Sequence, residues 1–140
     1  RFAVGGLENG VVNLINRIPE DHYRHVIISL TDSTDFKQRL NRKDVEIYCL
    51  NKKPGHDTGL YFRLWKLPRK LKPAITHTRN LAALGMVAVS MLAGVKRRVH
   101  SEHGWGMNDL NGANKKYRLL RRLMSVLVHR YIGLSKHIVN

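Results

Sequence analysis

The sequence predicts an α/β fold in which a mainly parallel sheet carries helices on both faces. Its 140 residues are enough for one domain of ordinary size. Short apolar runs of the kind found in buried strands alternate with stretches whose apolar residues recur every three or four positions. Strands separated by helices need crossover connections, which make neighbouring strands parallel.

The first half of the chain alternates between the two patterns. The apolar stub at residues 2–4 predicts the end of a strand, and the helical spacing in residues 7–18 predicts a helix that a proline ends. Residues 25–30 (HVIISL) form a nearly continuous apolar run, which is typical of strands covered on both faces. Residues 45–50 predict a shorter strand, and the charged residues 35–43 predict a loop or a short helix.

Leucines at spacings of four, three and four predict a helix over residues 60–71, which Pro68 is expected to kink or split. Residues 74–78 and 98–103 predict two strands with a helix over 81–93 between them.

That helix is expected to have Asn80 as its N-cap and Gly94 as its stop. A helix over residues 117–128 and a strand over 131–134 complete the predicted elements. In open parallel sheets, ligands bind outside the carboxyl ends of the strands. The loops that follow the strands are therefore where functional residues are expected.

The composition excludes several classes of protein. A hydrophobic content of 43% with 11 Gly and 4 Pro is that of a chain with a core, not of a disordered or collagen-like one. The longest uncharged run, residues 81–95, has 15 residues, whereas a helix needs about 20 to cross a bilayer. The single cysteine, Cys49, has no partner for an internal disulfide and is expected to be a core thiol.

Positive charge is concentrated in most of the chain but not at its start. The 25 Lys and Arg against 10 Asp and Glu give a net charge of +15. Residues 1–35 carry three Arg against five acids, so the remainder holds +17, and no acid follows Asp109. Such a surplus attracts phosphates on a nucleotide, a nucleic acid or an anionic lipid, and charge alone leaves these partners open.

Two glycines precede the first predicted helix. Gly5 and Gly6 could let backbone N–H groups approach a phosphate at the positive end of the helix dipole, although a simple tight turn explains them equally well. With Gly10 they match neither a P-loop nor the dinucleotide fingerprint. Asp32 could imitate the ribose-binding acid of that fold, so an NAD-binding domain is a third interpretation.

Polar side chains follow two of the predicted strands. His103, with Trp105 close behind it, could face a pocket as a hydrogen-bond donor or an acid/base, and a purely structural histidine is the alternative. Arg79 and Asn80 could donate to hydroxyls or phosphate, or could be a solvated arginine and a helix cap. His100 and His103 lie three apart on opposite faces of a strand, so they cannot chelate one metal ion, and no metal is expected.

The helix near the C-terminus has the most polarised charge. Its apolar stripe is of the kind that usually faces a core. Its basic residues fall within eight positions that contain no acid, which suggests contact with an anionic membrane surface. These residues are Lys115, Lys116, Arg118, Arg121 and Arg122.

Taken together, these segments resemble a known family. Residues 2–10 (FAVGGLENG) resemble the Gly-Gly-x-Glu turn after the first strand of glycosyltransferase family 4, and residues 100–105 (HSEHGW) resemble that family's histidine-bearing strand. Residues 109–122 and 131–135 are similar to sugar transferases associated with PEP-CTERM/exosortase exopolysaccharide loci.

The resemblance implies a GT-B enzyme with two Rossmann-like domains. Residues 1–140 would be the N-terminal, acceptor-side domain, a three-layer sandwich whose first strand is truncated, and the C-terminal donor-binding domain would be absent. The implied activity is retaining transfer of a hexosyl group from a nucleotide-sugar to a glycan or lipid-linked acceptor in exopolysaccharide biosynthesis. It would need no metal or cofactor, would take place in the cytoplasm or at the inner face of the plasma membrane, and would be lost in this chain alone.

The resemblance also implies roles for particular residues. Gly5 and Gly6 would lie near the donor phosphates, and His103 would be the catalytic residue that faces the transferred sugar. The acceptor side would be lined by Glu8, Asn9, Arg79, Asn80 and Trp105.

A basic nucleic-acid-binding α/β module is the alternative function. The sequence contains no helix-turn-helix, zinc-finger or RNP-like aromatic pattern, and its basic residues are spread over several elements. A nucleic-acid partner is therefore not expected.

Overall fold

A computed structural model describes residues 6–30, 36–103 and 112–133 of the chain. It divides the chain into two compact units, Arg1–Leu60 and Tyr61–Asn140. Helices alternate with strands that pair in parallel, so the α/β class predicted from the sequence is confirmed. In chain order the elements are α1 (Gly6–Arg17), β1 (Val26–Ser29), α2 (Phe36–Arg39), β2 (Glu46–Cys49), α3 (Thr58–Leu71), β3 (Ile75–Arg79), α4 (Asn80–Leu84), α5 (Met86–Leu92), β4 (Arg97–Glu102), α6 (Lys115–Ser125) and β5 (Arg130–Gly133).

The first unit contains a two-stranded parallel sheet, in which Val26 of β1 lies opposite Glu46 of β2. Helix α1 begins at the second of the two glycines and buries Val12 and Ile15, as the helical spacing predicted. The side chain of Asn16 links α1 to the segment after α2, because its amide oxygen accepts a 2.9 Å hydrogen bond from the backbone of residue 41. The predicted loop or short helix is thus the one-turn helix α2.

One expectation for the first unit is wrong. Cys49 is exposed and is not a core thiol. It is the last residue of β2, and the three strand residues before it are only half-buried. The strand is therefore not covered on both faces at its end, which the short apolar run could not reveal.

The second unit contains a three-stranded parallel sheet with β4 between β3 and β5. In its register Arg79 lies opposite Ser101, and Glu102 lies opposite Gly133. The carboxyl ends of the three strands consequently share one edge of this sheet. Its core includes Leu84 and Val87, which are almost completely buried.

Pro68 does not split the predicted helix. Helix α3 continues from Thr58 to Leu71, and the carbonyl of Pro68 accepts a 2.8 Å hydrogen bond from the backbone of Lys72. A proline in a helix removes one N–H donor. Because Pro68 lies in the last turn, that loss falls near the helix end, while Leu64 one turn earlier is buried and keeps the helix packed.

The segment predicted as one helix over residues 81–93 consists of α4 and α5, with Gly85 at their junction. Asn80 is not the N-cap as expected: it has a φ of +60°, and the preceding Arg79 makes no side-chain cap. The Asn80 side chain is used elsewhere, as described below. Gly94 does end the helical segment, with a φ of +89°.

Substitution of the two glycines by alanine should separate their roles. Gly94→Ala forces a side chain into the left-handed region and should destabilise the protein by about 1 kcal/mol. Gly85→Ala is the matched control, because its φ of −61° suits any residue and an added Cβ would meet only Tyr61 at 3.8 Å. Urea unfolding of both variants is the measurement, and equal losses would contradict this account.

Candidate active site at the carboxyl end of the second sheet

Three residues singled out in the sequence come together at the carboxyl edge of the second sheet. Arg79 is the last residue of β3, and His103 directly follows β4. The Nη1 atom of Arg79 lies 3.3 Å from Nε2 of His103. The side-chain oxygen of Asn80 accepts a 2.9 Å hydrogen bond from the backbone N–H of His103. Because the two strands pair in parallel, Asn80 and Arg79 come into contact with His103, although they lie 23 and 24 positions before it in the sequence.

Two further side chains complete this group. The hydroxyl of Ser101 lies 3.1 Å from Nε2 of His103 and 2.9 Å from Nε2 of His77. His77 and Arg79 share one face of β3 because side chains alternate along a strand, and Ser101 and His103 share the same face of β4. We call His77, Arg79, Ser101 and His103 the histidine–arginine cluster, to which Asn80 is joined through the backbone of His103. His77 and Ser101 were missed from the sequence, although their two-residue spacing from Arg79 and His103 was a signal.

The charge of the cluster comes from its arginine. Partial burial, the positive charge of Arg79 and the neighbouring histidines lower the pKa of His77 to about 4. Burial and Arg79 also lower the pKa of His103. Both imidazoles are therefore neutral at pH 7, while the guanidinium remains charged although burial lowers its pKa. The edge combines one cation with neutral hydrogen-bonding groups, which suits hydroxyls and anionic oxygens.

A second polar group lies on the opposite face of the same strands. The carboxylate of Glu102 is 1% exposed and accepts hydrogen bonds from Arg121 Nε at 2.8 Å and from the Tyr131 hydroxyl at 2.6 Å. His100 is fully buried beside it, with Nε2 3.7 Å from the carboxylate and Nδ1 2.7 Å from the Thr78 hydroxyl. We call these five residues the glutamate network.

The glutamate network joins four elements of the second unit, β3, β4, α6 and β5. Burial by itself raises the pKa of Glu102, but His100, Arg121 and Tyr131 outweigh it and lower that pKa to about 2. Burial and the contact with Glu102 raise the pKa of Tyr131. Glu102 therefore stays ionised at neutral pH and ties α6 and β5 to β4. Because Glu102 immediately precedes His103, the network also anchors the backbone of the histidine–arginine cluster.

His100 and His103 lie on opposite faces of the second sheet, as strand geometry predicts. His100 belongs to the glutamate network and His103 to the cluster on the other face. Among residues 6–30, 36–103 and 112–133, no group of three His, Cys, Asp or Glu side chains could hold a metal ion.

Other predicted site residues belong to the first unit or lie outside the described residues. Gly5 and Trp105 lie outside them. Gly6 begins α1, Glu8 is buried in its first turn, and the Asn9 side chain accepts a hydrogen bond from Arg39. The roles that the resemblance implies for these residues stay predictions.

The basic residues of α6 divide into two sets. Lys115, Lys116, Arg118 and Arg122 are exposed. Arg121 is only 13% exposed and belongs to the glutamate network, so it has to be removed from the expected membrane surface. It lies on the half-buried side of the helix with Leu120 and Met124, a direction that a count of charges cannot show. No helix in the described part of the chain is long and apolar enough to cross a bilayer.

Comparison with protein-family models identifies the chain. The model of Glycosyltransferase Family 4 matches residues 4–140, nearly the whole sequence. The chain belongs to Glycosyltransferase Family 4. Comparisons with curated proteins and with solved structures find no match. The family resemblance predicted from the sequence is thus confirmed, and the parallel α/β architecture agrees with the Rossmann-like fold expected of the family's N-terminal domain. Membership in family 4 supports a glycosyltransferase-type function, which in general takes a sugar donor and an acceptor.

Removal of the arginine from the glutamate network should be costly. Arg121→Met leaves the Glu102 carboxylate buried with fewer partners, so we expect a loss of about 3 kcal/mol in the free energy of unfolding, the lower end of the range for breaking a buried ion pair. Arg122→Met is the matched control on the same helix, and it should change stability by less than about 0.5 kcal/mol because Arg122 is exposed.

The loss of stability in Arg121→Met should also depend on pH. The pKa of Glu102 is depressed in the folded protein from 4.5 to about 2, so the stability that its ionisation provides is complete above about pH 4.5 and disappears as the pH falls through about 2. The difference between wild type and Arg121→Met should shrink over that interval. Urea unfolding at several pH values measures it, and a pH-independent difference would contradict the account.

Proposed function

We propose that this chain is the acceptor-side domain of a retaining glycosyltransferase that moves a hexosyl group from a nucleotide-sugar to a glycan or lipid-linked acceptor in exopolysaccharide biosynthesis. The observation that carries the proposal is the contact of Arg79, Asn80 and His103 at the carboxyl edge of a parallel sheet in a family 4 domain. Ligands of open α/β sheets bind at such an edge.

The chemistry of sugar transfer fits the groups at this edge. The bond from the anomeric carbon to the diphosphate oxygen breaks, the acceptor hydroxyl forms the new bond, and its proton leaves with the diphosphate. Negative charge develops on the leaving group, so cations and N–H donors aimed at oxygen lower the barrier. Arg79 offers charged donors to acceptor hydroxyls or phosphate, and His103 offers a ring N–H towards the transferred sugar.

The donor side of the reaction is assigned to another part of the enzyme. In the two-domain architecture that the family resemblance implies, the nucleotide-sugar is held mainly by a C-terminal donor-binding domain. Closure of two domains excludes water from a cation-like transition state, which half a cleft does not achieve. We therefore expect the chain of 140 residues to be inactive without that domain, and no metal or other cofactor to be required.

We expect the acceptor side of the enzyme to bind an anionic membrane surface. Helix α6 and its C-cap residue expose the four outward basic residues together with three large apolar ones. Basic side chains are attracted to anionic headgroups, and neighbouring apolar side chains can enter the boundary between headgroups and acyl chains. The apolar residues are Leu119, Leu123 and Val126, which are 58%, 56% and 83% exposed. This surface supports a peripheral enzyme on the cytoplasmic side of the membrane with a lipid-linked acceptor.

The role of His103 can be tested in the enzyme that contains both domains. His103→Ala should lower the turnover number about a hundredfold, because a preorganised donor to the reacting sugar is lost. It should change thermal stability little, since the side chain is only partly buried. His56→Ala, at an exposed loop position, is the control and should keep wild-type turnover. Transfer at the wild-type rate by His103→Ala would overturn the assignment.

The membrane surface can be tested by sedimentation with vesicles. Lys115→Gln/Lys116→Gln should weaken partitioning to anionic vesicles at least about tenfold, because each surface charge contributes on the order of 1 kcal/mol. Lys52→Gln/Lys53→Gln removes the same charge from an exposed segment of the first unit and is the matched control. Equal binding to neutral and anionic vesicles, or equal effects of the two variants, would contradict this proposal.

A further inference from the structure

The hydrogen-bonding chemistry of the histidine–arginine cluster determines where its protons are. An arginine guanidinium has donors and no acceptor. Since Nη1 of Arg79 lies 3.3 Å from Nε2 of His103, that nitrogen must present its lone pair. A proton on Nε2, in either the imidazolium or the other neutral tautomer, would place two N–H donors, those of Arg79 and His103, in contact without an acceptor. His103 is consequently neutral, with its proton on Nδ1.

The same nitrogen also determines the direction of the serine hydroxyl. Ser101 Oγ lies 3.1 Å from Nε2 of His103, which carries no proton, so the hydroxyl is the donor in this contact. Two donors then share one lone pair, which agrees with both distances being longer than an optimal hydrogen bond.

The hydroxyl proton of Ser101 is thus donated to His103. In its other contact, Ser101 must therefore accept a hydrogen bond. His77 Nε2 lies 2.9 Å from Ser101 Oγ. His77 is therefore the donor and carries its proton on Nε2. The result is a directed chain in which His77 donates to Ser101 and Ser101 donates to His103.

We propose that His77 and Ser101 are positioning residues that, together with Arg79, hold His103 as the neutral Nδ1–H tautomer, so that His103 meets its substrate as a hydrogen-bond donor and not as a base. The proton positions rest on the geometry alone. The identity of the substrate atom, an electron-rich oxygen of the sugar or of a phosphate, rests on the proposed function. Among the described residues Nδ1 of His103 has no hydrogen-bond partner, so this N–H is the donor left for a ligand.

The surroundings of His103 favour this state over a protonated one. Among residues 6–30, 36–103 and 112–133, the charged and titratable groups that face it are Arg79 and His77 on β3, while His100 lies on the other face of β4. The carboxylate of Glu102, which could have stabilised an imidazolium, is directed to the opposite face and is bonded to Arg121 and Tyr131. Burial and Arg79 lower the pKa of His103, which agrees with a neutral His103 at pH 7.

Nitrogen NMR of the two-domain enzyme labelled with ¹⁵N-histidine tests the proton positions directly. The His103 signals are identified by their disappearance in His103→Gln. At pH 7 we expect Nδ1 to give a protonated signal and Nε2 an unprotonated one, with the opposite pattern for His77. A protonated Nε2 on His103, alone or in an imidazolium, overturns the proposal.

Variants of the chain test its positioning role. Ser101→Ala and His77→Phe should raise the pKa of His103 in the NMR titration and lower kcat about tenfold, with KM for the nucleotide-sugar little changed, as expected when an orienting partner is lost. His77→Gln keeps an N–H donor and should restore most of kcat. Thr76→Val removes from the opposite face of β3 a hydroxyl that has no hydrogen-bond partner among the described residues, and it should leave the His103 signals unchanged. If Ser101→Ala and His77→Phe leave both the His103 titration and kcat as in wild type, the proposal is wrong.

The two proposals can fail separately. The expected tautomer together with wild-type turnover in His103→Ala would refute the proposed role of His103 in sugar transfer and keep the proton assignment. A different tautomer would refute the proton assignment even if His103→Ala is inactive.

Discussion

The pairing register between β3 and β4 is the constraint on which the candidate site depends. With Arg79 opposite Ser101, the carboxyl ends of the two strands lie side by side. A shift of one residue would reverse which side chains share a face, because the side-chain period of a strand is two. His77, Arg79, Ser101 and His103 would then no longer form one cluster.

The buried carboxylate of Glu102 makes this register costly to change. An ionised carboxylate in a protein interior needs charge-assisted hydrogen bonds to offset its lost hydration. Arg121 from α6 and the Tyr131 hydroxyl from β5 provide them, and these partners reach Glu102 only when the strands are paired as observed. The face of the sheet with the glutamate network thus fixes the backbone of the other face, where the histidine–arginine cluster is proposed to contact a ligand.

The two faces of the second sheet also differ in whether the charge of their arginine is compensated. On one face the positive charge of Arg121 is compensated by Glu102. On the other, the hydrogen-bond partner of the Arg79 guanidinium among the described residues is Nε2 of the neutral His103, so within this part of the chain its charge is available to an anionic or hydroxyl-rich ligand. The same distinction applies along α6, where Arg121 faces inward and Arg122 faces solvent although they are adjacent in the sequence.

Local patterns in the sequence were enough to determine the α/β class, the order of helices and strands, the family, and the fact that Arg79, Asn80 and His103 follow strand ends. These features depend on the spacing of apolar residues and on short motifs, which neighbouring positions in the chain define. Only the tertiary structure decided that Pro68 stays inside a helix, that Asn80 bonds the backbone of His103 and does not cap its helix, that Arg121 faces inward to Glu102, and that His77 and Ser101 join the site. Each of these depends on contacts between distant segments, because the strand register and the packing of α6 set the directions of side chains that no local periodicity specifies.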